Sequence, residues 1–175
     1  NDDLQGRRLT LATPERYDQL SLKTQRMMRY CCQHFRFRQL IKLDLSCMRQ
    51  TLTGAQYEGR QPIDQEALLQ FIQKRLEEPL TSATHYDGMF QHIHPQREGI
   101  EQWALKKYAT INFESVFQNN TQTPNFFSGK CYIVSRKLAL KIARHGYSMA
   151  TEHAIHLHGS EDLMVGRLAE QLESQ

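Results

Sequence analysis

Three stretches of this sequence hold residue types and spacings that can do chemistry. The first is Ile41-Lys42-Leu43-Asp44-Leu45-Ser46, an apolar run that ends on an acid. An acid at the carboxyl end of a buried strand sits where open α/β sheets place ligands. One carboxylate there can hold a divalent cation that neutralises a diphosphate. Asp44 can equally cap the turn that follows the strand. The second stretch is Asn125-Phe126-Phe127-Ser128-Gly129-Lys130-Cys131-Tyr132-Ile133-Val134-Ser135-Arg136. Gly129 lets a backbone approach a ligand closely, and the aromatic pair before it can floor an apolar pocket. The other reading is an ordinary loop-strand-helix joint. The third is His156-Leu157-His158-Gly159-Ser160-Glu161-Asp162. Ser160, Glu161 and Asp162 suit a helix start by capping and by the helix dipole. His156 and His158 share a side if the chain is extended, a spacing that can ligate a metal once a third ligand is supplied. His92 and His94 form a similar pair before Pro95 and read as loop residues.

The elements that must position these residues follow from periodicity. Arg7 to Ala12 alternates polar and apolar and reads as a strand. Thr13 and Pro14 suit a helix start, and a helix is predicted over Leu20 to His34 with Leu20, Met27, Met28 and Cys31 at near-helical spacing. Gln39 to Leu45 reads as a buried strand. That strand-helix-strand order predicts a parallel βαβ unit. Asp64 opens an amphipathic helix carrying Leu68, Leu69, Ile72 and Leu76, and Pro79 stops it. Thr84 to His94 reads as extended, with a turn or bulge at Asp87-Gly88. Gly129 to Val134 is a strand. Ser135 caps a helix over Arg136 to His145, which Gly146 is expected to end. A last helix is expected over Asp162 to Leu172. Gly54 to Pro62 and Gln118 to Pro124 read as loops.

Composition excludes some classes of function. The chain has 175 residues, 39% apolar and 23% charged, which suits one globular domain over 1–175. No run of 18 apolar residues is present, so no span of a membrane is expected. The net charge of +3 fits an anionic small ligand and is not the dense basic stripe of a nucleic-acid binder. Arg29, Arg36, Arg38 and Lys42 form the best such stripe and read as the solvated face of a helix and its exit loop. None of the four cysteines makes a C-x-x-C pair, so a zinc ribbon or redox motif is not expected. Cys31 and Cys32 point about 100° apart on a helix and read as small buried hydrophobes. Asn119-Asn120-Thr121 is an N-glycosylation sequon. No G-x-G-x-x-G or Walker loop is present, which argues against dinucleotide and ATP binding.

Five stretches in order carry a resemblance. They are Arg16-Tyr17-Asp18-Gln19-Leu20-Ser21-Leu22-Lys23-Thr24; Leu40 to Asp44; Tyr86-Asp87-Gly88 with Pro95, Arg97 and Trp103; Ser128 to Arg136; and Ser160-Glu161-Asp162-Leu163-Met164-Val165-Gly166. The set resembles the β-1,3-galactosyltransferase and β-1,3-N-acetylglucosaminyltransferase family. There the counterparts read D-S-Y-x-N-L-T-L-K-T, L-L-K-x-D-D-D, Y-x-G with P-x-R and K-W, S-G-G-G-Y-V-L-S-R, and P-E-D-V-Y-V-G. The resemblance covers roughly residues 15 to 168.

That resemblance implies a GT-A-like α/β fold, with a mostly parallel central sheet flanked by helices. It implies an inverting transferase that passes a hexose of galactose or N-acetylglucosamine type from a UDP-sugar donor to an acceptor glycan or glycoconjugate, usually with manganese (Mn2+). Asp44 falls at the first acid of the metal motif, and Asp162 at the acid that serves as catalytic base. Lys23, Arg97, Trp103, Ser128, Gly129 and Glu161 fall at donor or acceptor positions. Nucleic acid is not an expected partner, and any membrane link would come through a segment this chain lacks. Eukaryotic relatives work in the Golgi lumen and a bacterial one would be cytoplasmic.

Two departures qualify the pattern. The acid triplet reads Asp44-Leu45-Ser46, and a serine is a poor substitute for a charged oxygen ligand. That is compatible with a metal-independent enzyme, a weak one, or a non-catalytic relative acting as a glycan-binding or chaperone-like module. The first strand-helix-strand unit of such a fold, which holds the uridine, is also expected to be missing or shortened. A generic nucleotide-binding module is the third reading.

Overall fold

A computed structural model of the chain describes residues 3–5, 8–13, 19–44, 64–81, 84–92, 125–152 and 161–174. In order these hold β1 (Asp3–Gln5), β2 (Arg8–Thr10), α1 (Leu20–His34), β3 (Gln39–Leu43), α2 (Gln65–Glu77), β4 (Tyr86–Gly88), β5 (Gln91–His92), β6 (Phe126–Phe127), β7 (Cys131–Ser135), α3 (Arg136–Glu152) and α4 (Glu161–Glu173). None of these helices is long and apolar enough to cross a membrane.

The central sheet has the order β3-β7-β4, and both pairings are antiparallel. This corrects the expectation of mostly parallel strands. A strand-helix-strand order gives parallel neighbours only when both strands share a sheet. Here β2 pairs with β1, Leu9 facing Leu4, while β3 pairs with β7 from far along the chain, Ile41 facing Ile133.

Period-two alternation assigns the two faces of this sheet. Leu40, Lys42, Tyr132, Val134 and Tyr86 point one way, and α3 and α4 close over them with Met28 of α1 in the main core. Ile41, Leu43 and Cys131 point the other way, onto Leu68, Phe71 and Ile72 of α2. Every residue of β7 is buried, as expected of a strand covered on both faces. Arg75 of α2 pairs with Asp87 of β4 at 2.8 Å, which ties the lower layer to the sheet edge.

Local signals set the helix ends. Asp64 accepts from Ala67 N at 2.8 Å, and α2 stops just before Pro79. Ser135 Oγ accepts from Leu138 N at 3.2 Å and caps α3. The expected stop at Gly146 is overturned, because α3 runs on to Glu152. Gly146 is buried instead, in a crossing where Ile142, Met164 and Gln25 crowd it. Gln25 seals the same seam: its amide donates to Ala143 O at 3.1 Å and accepts from Tyr147 N at 3.0 Å. The extended stretch from Thr84 also differs in detail. Asp87 and Gly88 stay in β4, and the break falls at Met89-Phe90. Phe126 lies in the core rather than flooring a pocket, and the ring of Phe127 meets Tyr86 edge-on at 4.9 Å.

Gly166 lets α4 lie directly on β6. A Cβ there would stand 2.4 Å from Asn125 O and 2.8 Å from Phe126 Cβ. In an open helix Gly→Ala stabilises by about 0.5–1 kcal/mol. At this contact the sign reverses, and Gly166→Ala is expected to cost about 1–3 kcal/mol through overpacking. Urea unfolding measures it. An unchanged or higher midpoint would show that α4 does not approach β6 so closely.

Candidate functional site

One end of the central sheet gathers charged groups from three elements. β3 contributes Lys42 and, just past its end, Asp44. The turn 128–130 before β7 contributes Ser128, Gly129 and Lys130. The first turn of α4 contributes Glu161 and Asp162. Acids at a helix N-terminus are stabilised by the positive end of the dipole, so the sequence favours that helix start and the function can use the same residues.

Lys42 is the hub. Its Nζ donates to Glu161 Oε1 at 2.9 Å and to the carbonyl of Gly129. It also lies 5.5 Å from the centroid of the Tyr132 ring. Burial pulls this ammonium toward neutrality, but Glu161, Asp44 and Asp162 more than offset that, so its pKa ends above the ordinary lysine value. The side chains of Lys42 and Glu161 keep only 20% and 10% of their surface. This corrects the view of Lys42 as part of a solvated basic face. The signal was available in the alternation of β3, which puts Lys42 on the same face as Leu40.

Asp162 is held by backbone. Its Oδ2 accepts from Gly129 N at 3.2 Å and its Oδ1 from Leu163 N at 3.0 Å. Burial, then the charge of Glu161, raises its carboxyl to about 7, against the lowering by those two N–H groups and by Lys42. A half-buried carboxyl poised near neutrality can accept a proton from a bound hydroxyl. Gly129 has little room around it: a Cβ there would stand 2.7 Å from Glu161 Oε1 and 3.3 Å from Lys42 Nζ. Both atoms are the far ends of flexible side chains, so a side chain at 129 would have to displace the ion pair.

Two tyrosines back the cluster. Tyr86 OH accepts from Phe127 N at 2.9 Å and donates to Phe127 O at 3.1 Å. Tyr132 is fully buried, and its hydroxyl has no hydrogen-bond partner among the described residues. Burial raises both phenols well above their ordinary range, with the acids at 161 and 162 adding to it. Neither tyrosine was singled out from sequence as a site residue.

The structure thus brings together Asp44, Ser128, Gly129, Glu161 and Asp162, and adds Lys42 and Lys130. Asp44 N donates to Lys130 O at 2.9 Å, which docks the end of β3 against the turn. Lys23 lies half-buried on α1, which packs chiefly on α3, and takes no part in the hydrogen bonds just described. Arg97, Trp103, His94, His156, His158 and the sequon lie outside the described residues, as do Leu45 and Ser46. Among the described residues no three His, Cys, Asp or Glu side chains are grouped to hold a metal ion.

A family model described as galactosyltransferase matches residues 3–175. No curated protein and no solved structure matches the chain.

Two measurements test this geometry. Lys42→Met strands Glu161 without its partner and is expected to cost about 3 kcal/mol. Adding Glu161→Gln should restore at least about 1 kcal/mol of that, the coupling expected for a touching pair. Additive losses would mean that the two groups are not paired. The second concerns pH. The folded pKa of Asp162 lies above its unfolded value, so the native state holds the extra proton between them. Stability from this group is full at about pH 4 and is lost as pH rises through about 7. Asp162→Asn should therefore flatten the slope of unfolding free energy between about pH 4 and pH 7, read by urea titration as about that window's worth of linkage. An unchanged slope would contradict the raised carboxyl.

Proposed function

The chain belongs to the galactosyltransferase family, and on that premise we propose that it is an inverting transferase of GT-A-like architecture. It moves a hexose from a UDP-sugar to a hydroxyl of an acceptor glycan or glycoconjugate. The observation that carries this reading is Asp162, a carboxyl raised to about 7 and aimed by the backbone N–H groups of Gly129 and Leu163.

The chemistry is a single displacement. The acceptor oxygen bonds to the anomeric carbon from the face opposite the leaving group. The bond from that carbon to the diphosphate oxygen breaks, and UDP leaves with its electron pair. The acceptor's proton passes to Asp162, which must be ionised to take it. Lys42 and Glu161 are positioning residues in this scheme: they fix Gly129, and Gly129 N–H fixes the carboxylate. Positioned general-base catalysis is worth about 10²–10⁴ in rate. No step is assigned to manganese.

A second reading rests on Leu45 and Ser46, which replace two acids of the motif. It makes the chain a glycan-binding or chaperone-like relative without turnover.

UDP release from a panel of UDP-sugars with acceptor glycans, with manganese and with chelator, separates the two. The transferase reading expects release that Asp162→Asn lowers by about 10²–10⁴. It also expects a rate that rises with pH through about 7, the range to which Asp162 is raised. No release from any donor, in folded protein that still binds a glycan, would favour the second reading.

A further inference from the structure

We propose that the outer face of α3, together with the exit of α1, is a docking surface for an anionic lipid bilayer. This contact is separate from the transfer reaction and uses none of its residues.

Charge is spread unevenly over the fold. From Gln19 to Leu43, and again from Phe126 to Thr151, the sequence holds no aspartate or glutamate. These segments form α1, β3, β7 and α3 up to its last residue, and α1 and α3 pack side by side. The acids of the described residues fall chiefly on α2 and α4. Residues 14–18, 45–63, 93–124 and 153–160 together carry six cations and six acids, so they bring no net negative charge to neutralise this layer.

The cations of α3 form one stripe. Lys137, Lys141 and Arg144 follow at spacings of four and three, which puts them on one side of a helix. Leu138, Ala139, Ile142 and Ala143 of the same helix face the core. The stripe spans about 10 Å. Arg38 joins its head, since Arg136 N donates to Arg38 O at 2.9 Å. Arg36, Arg38, Lys137 and Arg144 are exposed, and Lys141 is half-buried. The ion pairs of the described residues, Lys42 with Glu161 and Arg75 with Asp87, engage none of these cations. Glu173 of α4 faces the same end, where its carboxylate accepts from His85 N at 3.5 Å and it acts with Lys137 on that histidine. Lys141 lies below the ordinary lysine value, through partial burial and then through the charge of Lys137. Lys137 also stands in the first turn of α3, where the helix dipole disfavours a cation. Folding gains nothing from such charges, and an anionic surface laid against them relieves their repulsion.

Phe35 identifies that surface as a bilayer. Its ring is 49% exposed at the exit of α1, 6.2 Å from the ring of Tyr30 and directly before Arg36. Arg136 Nη1 donates to its carbonyl at 3.0 Å, which holds it beside the start of α3. An exposed aromatic ring among arginines gains burial at the boundary of headgroups and acyl chains, while the cations meet the anionic headgroups. A sulfated or carboxylated polymer would meet the charges and leave the ring in water.

The test is flotation of the full chain with vesicles of phosphatidylcholine alone and with vesicles of about one-third phosphatidylserine, at low and high salt. Binding is expected only to the anionic vesicles, and it should fall as salt screens the charges. A triple variant, Lys137→Gln with Lys141→Gln and Arg144→Gln, should lower partitioning at least about tenfold, since each cation near such a surface contributes about fivefold. Its unfolding midpoint should equal or exceed that of the wild type, because like charges have been removed. Phe35→Trp should keep binding, and its emission on anionic vesicles should shift to the blue relative to the wild type. Equal binding to neutral vesicles, full binding by the triple variant, or unshifted emission from bound Phe35→Trp would each overturn the proposal. Retention on heparin without binding to anionic vesicles would also overturn it, in favour of a soluble polyanion.

Discussion

A single ammonium links the three elements of the candidate site. Lys42 reaches from β3 under the turn at Gly129 to the first residue of α4. A half-buried lysine is costly to desolvate without a partner, and here the cost is offset by one carboxylate, one carbonyl and the face of Tyr132. Each contact also fixes its partner. The carbonyl fixes the turn, the turn directs Gly129 N–H at Asp162, and the carboxylate fixes the helix start that carries both acids. A Cβ at 129 would have to displace the ends of those two side chains. The order of the site therefore follows from one buried charge and its need to be surrounded.

That arrangement explains how two adjacent acids differ in role. Glu161 is spent on the ion pair. Asp162 receives two neutral N–H donors and lies further from the ammonium in effect, since Lys42 is the smallest of its influences. Burial and the charge of Glu161 then outweigh the donors and lift its carboxyl toward neutrality. Burial and a neighbouring like charge are the two general causes that raise a carboxyl. The strand order makes this possible. With β7 in the centre and buried on both faces, the turn that precedes it is held from β3 on one side and from β4 on the other.

Much of the scaffold was legible in the sequence because it is local. The helix over Leu20 to His34 follows from apolar spacing, and Asp64 and Ser135 announce their helices by side-chain caps. Asp44, Gly129 and Asp162 were marked by their place at strand and helix ends. What was not legible is non-local. The direction of the sheet depends on β3 choosing β7 over β2, and no periodicity records that choice. Gly146 carries the signature of a helix stop, yet its place at a crossing with α4 overrides it. Lys42 looked like surface because lysine is seldom buried, and only the distant Glu161 gives the reason that it is.

Family membership and site chemistry constrain the function to different degrees. Membership fixes the class of chemistry for which the scaffold was selected, while a fold or family alone does not license a particular reaction. The site narrows it through charge. A sugar diphosphate leaves as an anion, and the protein must stabilise that charge where it develops. A carboxylate triplet does so indirectly, by recruiting an ion whose charge exceeds its own. Such a device fails when its ligands fall below the number an ion requires, since a lone carboxylate then repels the phosphate it was meant to serve. Asp44 stands at the end of β3, and Glu161 and Asp162 open α4 beside it. Stabilising the departing diphosphate is the physical line between a transferase and a lectin built on the same frame.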